Sequence, residues 1–413
     1  MKAIPPLKEI PPTAGLPLTW RDLFPAGASL EKGMADFIHL PAVQITCSGT
    51  AAQIITLTAL KQQSARRKVI LPAYTCPLVA LAVLHCGLQP VLCDLQPNNF
   101  NLDHNQLAAL CDENTLAVIA THLGGRVANL SPLLEIARSR GAYVIEDAAQ
   151  ALGATWQGQA VGMAGDAGFY SLAVGKGLTI YEGGVLIAHD ANLRKKLQAT
   201  AEEIAPSKPL WELRRSVELL GYAALYQPCG LPLAYGLPLR RALKKNALIE
   251  AVGDDFADEI PLHRVGRWRK AVGANALKRL PAFLDGLQQQ AMSRLARLAA
   301  IAGIQVMQDA PDDKYTRGTW PFFMVLMPSQ AARDMALKTL WGAGLGVSRL
   351  YIHALPDYPY LSGRVGQAEV SNTVPNARDF AARMLTVSNS LWLDDNKFDR
   401  IAQEIEVASQ LSG

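Results

Sequence analysis

Short apolar runs alternate with amphipathic stretches through the first half of the chain. Helices are predicted between the apolar runs, such as one over residues 77–87 that ends at Gly87. Strands separated by helices of this length indicate βαβ units and a mostly parallel sheet. Before the first strand, residues 1–35 are rich in proline and predict an irregular arm. The predicted strands lie at residues 43–48, 68–74, 90–95, 116–123, 142–147, 167–173 and 184–190.

The pattern changes after about residue 190. A charged helix is predicted over 191–204, and a long helical region over 273–303, broken at Pro281. A strand at 320–328 and further helices follow. The chain is therefore predicted to be an α/β protein with a large domain (1–250), built on a mostly parallel sheet flanked by helices. A smaller C-terminal α+β domain (251–413) follows it.

Composition narrows the class of protein. Half of the 413 residues are hydrophobic and only 18% are charged, so a sizeable core is expected and general disorder is excluded. A net charge of +4 is no signature of nucleic-acid binding. The six cysteines form no CxxC or metal-ligand pattern, so we expect reduced thiols, a cytoplasmic protein and no metal. The N-terminus lacks the apolar run of a signal peptide.

Residues 219–239 contain no charged side chain, and arginines flank them on both sides. Their length suits a membrane-spanning helix, but Pro228, Pro232 and Pro238 disfavour a continuous one. We expect a buried or interfacial segment, within an apolar insertion of about 200–260. Packing beneath the small domain or against a second copy, and peripheral contact with the inner membrane, both stay open.

Candidate chemistry lies where predicted strands end, since ligands of parallel sheets bind there. Asp147 ends one strand, and Lys176 lies in an apolar loop between two glycines. A desolvated lysine can react with an aldehyde, and a carboxylate can hold a pyridinium proton. Ser48, Gly49 and Thr50 start a helix whose N–H groups suit a phosphate. Helix capping and a solvated lysine explain the same residues without any ligand.

Several motifs occur together in a specific order. The chain reads SGTAA, then PAYT, GLQPVLCDL, THLGG, VIEDAAQALGA and GDAGFYSLAVGKGLTIYEGG. This order resembles the DegT/DnrJ/StrS-type sugar aminotransferases, which are pyridoxal-phosphate enzymes of fold type I. RWRKAVGANALKRL and LWGAGLGVSRLYIHALP resemble later segments of that family. The resemblance is close over residues 40–190 and weaker over 264–405.

The resemblance implies a role for each matching residue. Lys176 would carry the cofactor and move the proton, Asp147 would pair with the ring nitrogen, and Gln150 would reach the ring hydroxyl. Tyr74 would lie over the ring. The phosphate would be held by Gly49, Thr50, Ala51 and Ser171, and the substrate would meet His122, Tyr181 and Glu182.

The chain also departs from the family pattern. Cys76 follows Thr75 where relatives have an aromatic residue, and Gly177 follows the lysine in place of asparagine. Val265 stands where relatives have an asparagine that reaches the partner's phosphate. Because Lys176 is kept and not replaced by histidine, the resemblance favours transamination over dehydration.

The resemblance implies transfer of an amino group from an amino acid, glutamate in our expectation, to a nucleotide-linked keto sugar. It also implies a pyridoxal 5'-phosphate cofactor and a homodimer. Two alternatives stay open: a membrane-surface or carrier-bound aminotransferase with a non-sugar acceptor, and a non-catalytic regulator that binds the cofactor.

Overall fold

The computed structural model describes residues 6–24, 27–309, 314–365 and 374–411. Its strands are β1 (Gln44–Thr46), β2 (Lys68–Pro72), β3 (Gln89–Cys93), β4 (Thr115–Thr121), β5 (Tyr143–Asp147), β6 (Thr155–Trp156), β7 (Gln159–Ala160), β8 (Ala167–Ser171), β9 (Gly184–Ala188), β10 (Gln305–Val306), β11 (Phe322–Leu326), β12 (Val347–Ser348) and β13 (Met384–Ser388).

The helices of the first half are α1 (Leu30–Ile38), α2 (Gly49–Lys61), α3 (Pro77–His85), α4 (His104–Leu110), α5 (Leu130–Ser139), α6 (Ala191–Ile204), α7 (Pro209–Leu225), α8 (Leu237–Lys244) and α9 (Leu248–Val252). Those of the second half are α10 (Arg267–Leu277), α11 (Leu280–Ala299), α12 (Gln330–Leu340), α13 (Pro375–Arg383) and α14 (Asp395–Gln410).

The central sheet has the strand order β1-β9-β8-β5-β4-β2-β3. Strands β8, β5, β4, β2 and β3 pair in parallel, whereas β9 runs antiparallel to both of its neighbours. Helices α2 and α3 cover one face, and α4 and α5 cover the other. The mostly parallel sheet and all seven of its predicted strands are thereby confirmed.

A second, antiparallel sheet has the order β10-β11-β13-β12. It shares a core with α12 and α14, so the predicted C-terminal α+β unit is confirmed as an architecture. Helix α11 joins the two cores. Phe283 belongs to the core that contains Leu30, and Leu298 belongs to the core of the antiparallel sheet. The division of the chain at residues 250 and 251 stays a prediction.

The irregular arm predicted for residues 1–35 is wrong in its C-terminal part. Helix α1 begins at Leu30, and the Ser29 hydroxyl accepts a hydrogen bond from the Lys32 N–H as its cap. The buried Leu30, Met34 and Ile38 recur at helical spacing, a signal that the upstream prolines had outweighed.

The uncharged stretch 219–239 is broken, as its prolines predict. Helix α7 ends inside it, one π-helical turn covers Pro232–Gly236, and α8 then begins. Among the described residues, no helix combines the length and the apolar character needed to cross a membrane.

Candidate active site

Lys176 lies in the loop between β8 and β9, and the N-terminal arm holds this loop in place. The Thr13 hydroxyl donates to the Gly175 carbonyl at 2.8 Å, and the Leu16 N–H donates to the Gly177 carbonyl at 3.2 Å. Burial lowers the pKa of the Lys176 amine, although Cys76 and Asp147 nearby act in the opposite direction. The loop thus presents an amine that loses its proton more readily than a solvated lysine.

Asp147 ends β5, where alternation along the strand separates it from Glu146. Its Oδ1 accepts the Ala149 N–H at 3.0 Å, and the side chain is buried. Burial raises the pKa of Asp147, whereas the Ala149 hydrogen bond and the charge of Lys176 lower it. The amine and the carboxylate predicted to act together therefore lie within electrostatic reach of each other.

The start of α2 forms a cradle of backbone N–H groups, which suits an anion. Ser48 caps the helix by accepting the Ala51 N–H at 2.9 Å, which leaves the Gly49 and Thr50 N–H groups without an intrahelical acceptor. A Cβ added to Gly49 would lie 3.5 Å from the Cβ of Ser171. The predicted phosphate residues Gly49, Thr50 and Ser171 thus come together, whereas the expectation for Ala51 is corrected because Ser48 already occupies its N–H group.

Gln150 lies behind this group. Its Oε1 accepts the Gly124 N–H at 2.7 Å, and its Nε2 donates to the Tyr351 hydroxyl at 3.2 Å. Tyr351 is a buried residue that sequence reasoning missed. The available signal was its position in LYIHALP, a segment already recognised as similar to the family. Gln150 therefore links β5 to the C-terminal half of the chain.

Tyr74 does not lie free above the site. Its hydroxyl exchanges hydrogen bonds of 3.2 Å with the backbone of Tyr351, and its ring packs edge-on against Tyr351 and Phe380. The expected stacking role is corrected: Tyr74 is a core residue that fixes Tyr351. Cys76 lies closer to Lys176, and burial raises the pKa of its thiol to about 12.

The ring nitrogens of His122 are both used within the protein. The Ala128 N–H donates to Nδ1 at 3.2 Å, so Nε2 carries the proton and donates to Glu146 Oε2 at 3.0 Å. Glu146 in turn accepts the Gly162 and Gly165 N–H groups. Neither ring nitrogen is therefore available to a ligand, and the predicted place of His122 in the lining of the substrate site stays a prediction.

Tyr181 and Glu182 lie in the loop before β9 and contact side chains of α7. The Arg215 guanidinium pairs with Glu182 at 2.5 Å, and His263 and Trp211 donate to the same carboxylate at 3.3 Å. Arg215 also lies 5.9 Å from the centre of the Tyr181 ring. The expected substrate role of Glu182 is corrected because three side chains already bind its carboxylate. Tyr181 is half-buried beside this cluster, and its own substrate role stays a prediction.

The described residues include no group of three or more potential ligands that could hold a metal ion. The site at the ends of the parallel strands consists of the Lys176 amine, the Asp147 carboxylate and the N–H groups at the start of α2. This arrangement, on a mostly parallel sheet with a smaller C-terminal α+β unit, is that of the fold type I pyridoxal-phosphate enzymes. A model of the DegT/DnrJ/EryC1/StrS aminotransferase family matches residues 16–209 and 264–406, and the chain belongs to that family.

Individual proteins agree with this assignment. The chain is similar to GDP-perosamine synthase of Caulobacter vibrioides, with 35% identity over 182 residues, or 44% of this chain and 49% of that protein. It is also similar to the L-glutamine:2-deoxy-scyllo-inosose aminotransferase of Streptomyces fradiae, with 32% identity over 196 residues and 46% of each protein. The matched stretch thus spans about half the length of these relatives.

A solved structure covers almost the whole chain. The fold is similar to that of a putative sugar aminotransferase, Spr1654 from Streptococcus pneumoniae, in its PLP form, with a TM-score of 0.74 and 18% sequence identity. The match covers 98% of this chain and 99% of that one. At this identity the likeness establishes the fold. Residues 210–263, which hold α7 apart from Pro209 and all of α8 and α9, lie outside the ranges of the family model.

Proposed function

We propose that this chain is a pyridoxal-phosphate-dependent aminotransferase that moves an amino group from an amino acid to a nucleotide-linked keto sugar. The observation that carries the proposal is the proximity of Lys176, with its lowered amine pKa, to the buried Asp147. Family membership supports the same reaction class.

The residues present fit the cofactor. The cradle of Gly49, Thr50 and Ser171 offers two N–H donors and a hydroxyl to a phosphate group, and a side chain at Gly49 would fill part of that cradle. Asp147 has one oxygen occupied by the Ala149 N–H, so its other oxygen would be free to pair with the ring nitrogen. Gln150 would lie towards the ring hydroxyl, as the family pattern implies.

When bound, the cofactor supplies an aldehyde that takes up nitrogen and a ring that withdraws electrons. Lys176 Nζ, unprotonated at a lower pH than an ordinary lysine, takes the proton from the α-carbon of the amino donor and delivers it again on the other side of the transfer. The Asp147 carboxylate holds a proton on the ring nitrogen, which strengthens the electron withdrawal. The arm at Thr13 and Leu16 keeps the lysine loop in position.

The substrates are inferred from relatives. One similar protein is named for a GDP sugar and another for an L-glutamine donor. We propose glutamate as the donor, with glutamine as the alternative to test beside it. We further propose a homodimer, as the resemblance implies, and a cytoplasmic location. The free state of all six cysteines supports a reducing compartment.

The test is the visible absorption spectrum of the purified protein with added pyridoxal phosphate. We expect a band from the lysine-bound cofactor that fades when glutamate or glutamine is added. Lys176→Ala should lose the band and slow the half-reaction by roughly 10²–10⁴-fold. Lys278→Ala, at an exposed lysine of the same chain, is the matched control and should keep both.

A protein that takes up no cofactor contradicts the proposal. A stable band that no amino donor bleaches would instead support the non-catalytic regulator.

A further inference from the structure

The solvent-facing side of α7 is apolar. Leu210, Leu213, Val217 and Leu220 follow one another at helical spacing and are 83%, 62%, 60% and 46% exposed. We call these four residues the α7 stripe. The solvent-exposed face of a helix is normally polar, so an apolar face of this kind indicates an interaction surface.

The opposite side of α7 explains the orientation. Leu219 and Tyr222 are buried there, and the charged side chains on that side are paired inward. Glu212 binds the buried guanidinium of Arg269 at 2.5 Å, and Arg215 pairs with Glu182. These contacts fix the rotation of the helix, so the α7 stripe cannot turn inward without breaking two ion pairs.

The following helix adds positive charge. Exposed side chains on this helix include Leu237, Arg241 and Lys244, and Lys245 at its end is exposed as well. Within the described part of the chain, Arg241, Lys244 and Lys245 form no ion pair. Residues 206–246 carry seven basic and two acidic side chains, a formal +5, against +4 for the whole chain. The two acids, Glu212 and Glu218, are already in ion pairs.

We propose that residues 206–246 dock on an anionic lipid membrane, with the α7 stripe in the headgroup region and the basic residues of α8 against lipid phosphates. Apolar side chains beside unpaired lysines and arginines are what such an interface binds. A second copy of the chain fits less well, because a symmetric contact through this segment would bring the unpaired Arg241, Lys244 and Lys245 of both copies together. Residues 210–246 of this surface also lie outside the ranges that the family model matches.

This surface differs from the expectation based on the uncharged stretch 219–239. Within that stretch Leu219, Tyr222, Tyr226, Leu231 and Leu239 are buried, whereas Leu220, Leu233 and Leu237 are exposed, so packing inside the protein explains only part of the absence of charge. Of the exposed apolar residues of this surface, Leu210, Leu213 and Val217 lie upstream of that stretch, where the neighbouring acidic side chains are held in ion pairs.

The experiment is co-sedimentation of the full-length protein with vesicles rich in phosphatidylglycerol and with vesicles of phosphatidylcholine alone. We expect binding to the first and much weaker binding to the second. Val217→Asp should weaken binding at least roughly tenfold, because it places a charge in the apolar stripe. Val407→Asp, at an exposed valine of α14, is the matched control and should leave binding unchanged.

The basic residues are tested separately. Replacing Lys244 and Lys245 by glutamine should weaken binding to anionic vesicles by roughly 30-fold. Circular dichroism and light scattering verify that each variant keeps its fold and its mass.

Absence of binding to anionic vesicles overturns the proposal, and so does binding that Val217→Asp leaves intact. If Val217→Asp instead lowers the oligomeric mass of a protein that ignores vesicles, a second copy covers the stripe. None of these results depends on whether the chain transaminates, which the absorption spectrum reports independently.

Discussion

At the scale of single residues, neighbours decide which titratable groups remain available for chemistry. Glu146 and Asp147 are adjacent in sequence and both buried, yet Glu146 accepts Gly162, Gly165 and His122, whereas Asp147 accepts one N–H group. Strand alternation directs the two carboxylates to opposite faces of the sheet. Asp147 therefore keeps acceptor capacity for a ligand, and Glu146 does not.

This difference predicts the effect of Asp147→Asn. The amide oxygen can still accept the Ala149 N–H, so the fold and cofactor binding should persist. Without the negative charge, the ring nitrogen is no longer held protonated, and the half-reaction with the amino donor should slow by roughly 10²–10⁴-fold. Stopped-flow absorbance measures this rate.

The matched control is Asp166→Asn, since Asp166 also accepts one backbone N–H, that of Val144, at 2.7 Å. Equal half-reaction rates for Asp147→Asn and wild type would show that the carboxylate has no part in the chemistry.

At the scale of elements, hydrogen bonds connect loops from distant parts of the chain. Asp254 follows α9, and its Oδ2 accepts the Tyr358 hydroxyl at 2.5 Å and the Ile352 N–H at 3.1 Å. This carboxyl therefore supports the loop that carries Tyr351. Burial raises its pKa to about 6, although both hydrogen bonds oppose the shift.

The raised pKa predicts a pH dependence of stability. In the unfolded chain Asp254 titrates near 4, so the folded protein binds the extra proton between about pH 4 and pH 6. Its contribution to the free energy of unfolding is fully present below about pH 4 and is lost as the pH rises through 6. The loss is on the order of 2–3 kcal/mol. Urea unfolding at several pH values measures it.

Asp254→Asn resembles the protonated acid and can accept both hydrogen bonds, so it should remove this part of the slope. Asp255→Asn, at the exposed neighbouring residue, should retain it. A slope in Asp254→Asn identical to that of wild type would mean that the folded protein does not hold the proton.

At the scale of the whole molecule, a buried arginine joins the parallel sheet to the C-terminal half. Arg126 follows β4, pairs with Asp309 at 3.0 Å and lies over the Trp320 ring at 3.3 Å from its centre. Asp309 also accepts the Val127 and Gly318 N–H groups. Burial lowers the pKa of Arg126 to about 10, whereas the charge of Asp309 acts in the opposite direction.

Asp309→Ala should therefore lower the free energy of unfolding by about 3 kcal/mol, because it leaves a buried charge uncompensated. The double variant with Arg126→Met should recover part of this loss, since no isolated charge remains. Urea denaturation measures both.

Asp399→Ala serves as the control, because the Arg297–Asp399 pair is exposed and its loss should cost less than about 1 kcal/mol. A similar cost for Asp309→Ala and Asp399→Ala would refute the role given to Arg126.

The sequence by itself determined the succession of strands and helices along the chain that form the parallel sheet. It also determined which residues lie at the strand ends. Hydrophobic period and capping are local properties, and ligand sites at the ends of parallel strands follow from topology alone. These properties made Lys176, Asp147 and the Gly49–Thr50 helix start candidates, and the resemblance to the family selected them as cofactor ligands.

Only the tertiary structure decided which polar groups already had partners. The sequence analysis assigned ligand contacts to Tyr74, His122 and Glu182. It could not show that their side chains bind partners elsewhere in the chain, such as Tyr351 and Arg215. The same holds for the arm at Thr13, which binds a loop more than 160 residues away. It also holds for α7, whose outward face follows from ion pairs with Arg269 and Glu182. Such contacts depend on packing between distant segments, which no local pattern records.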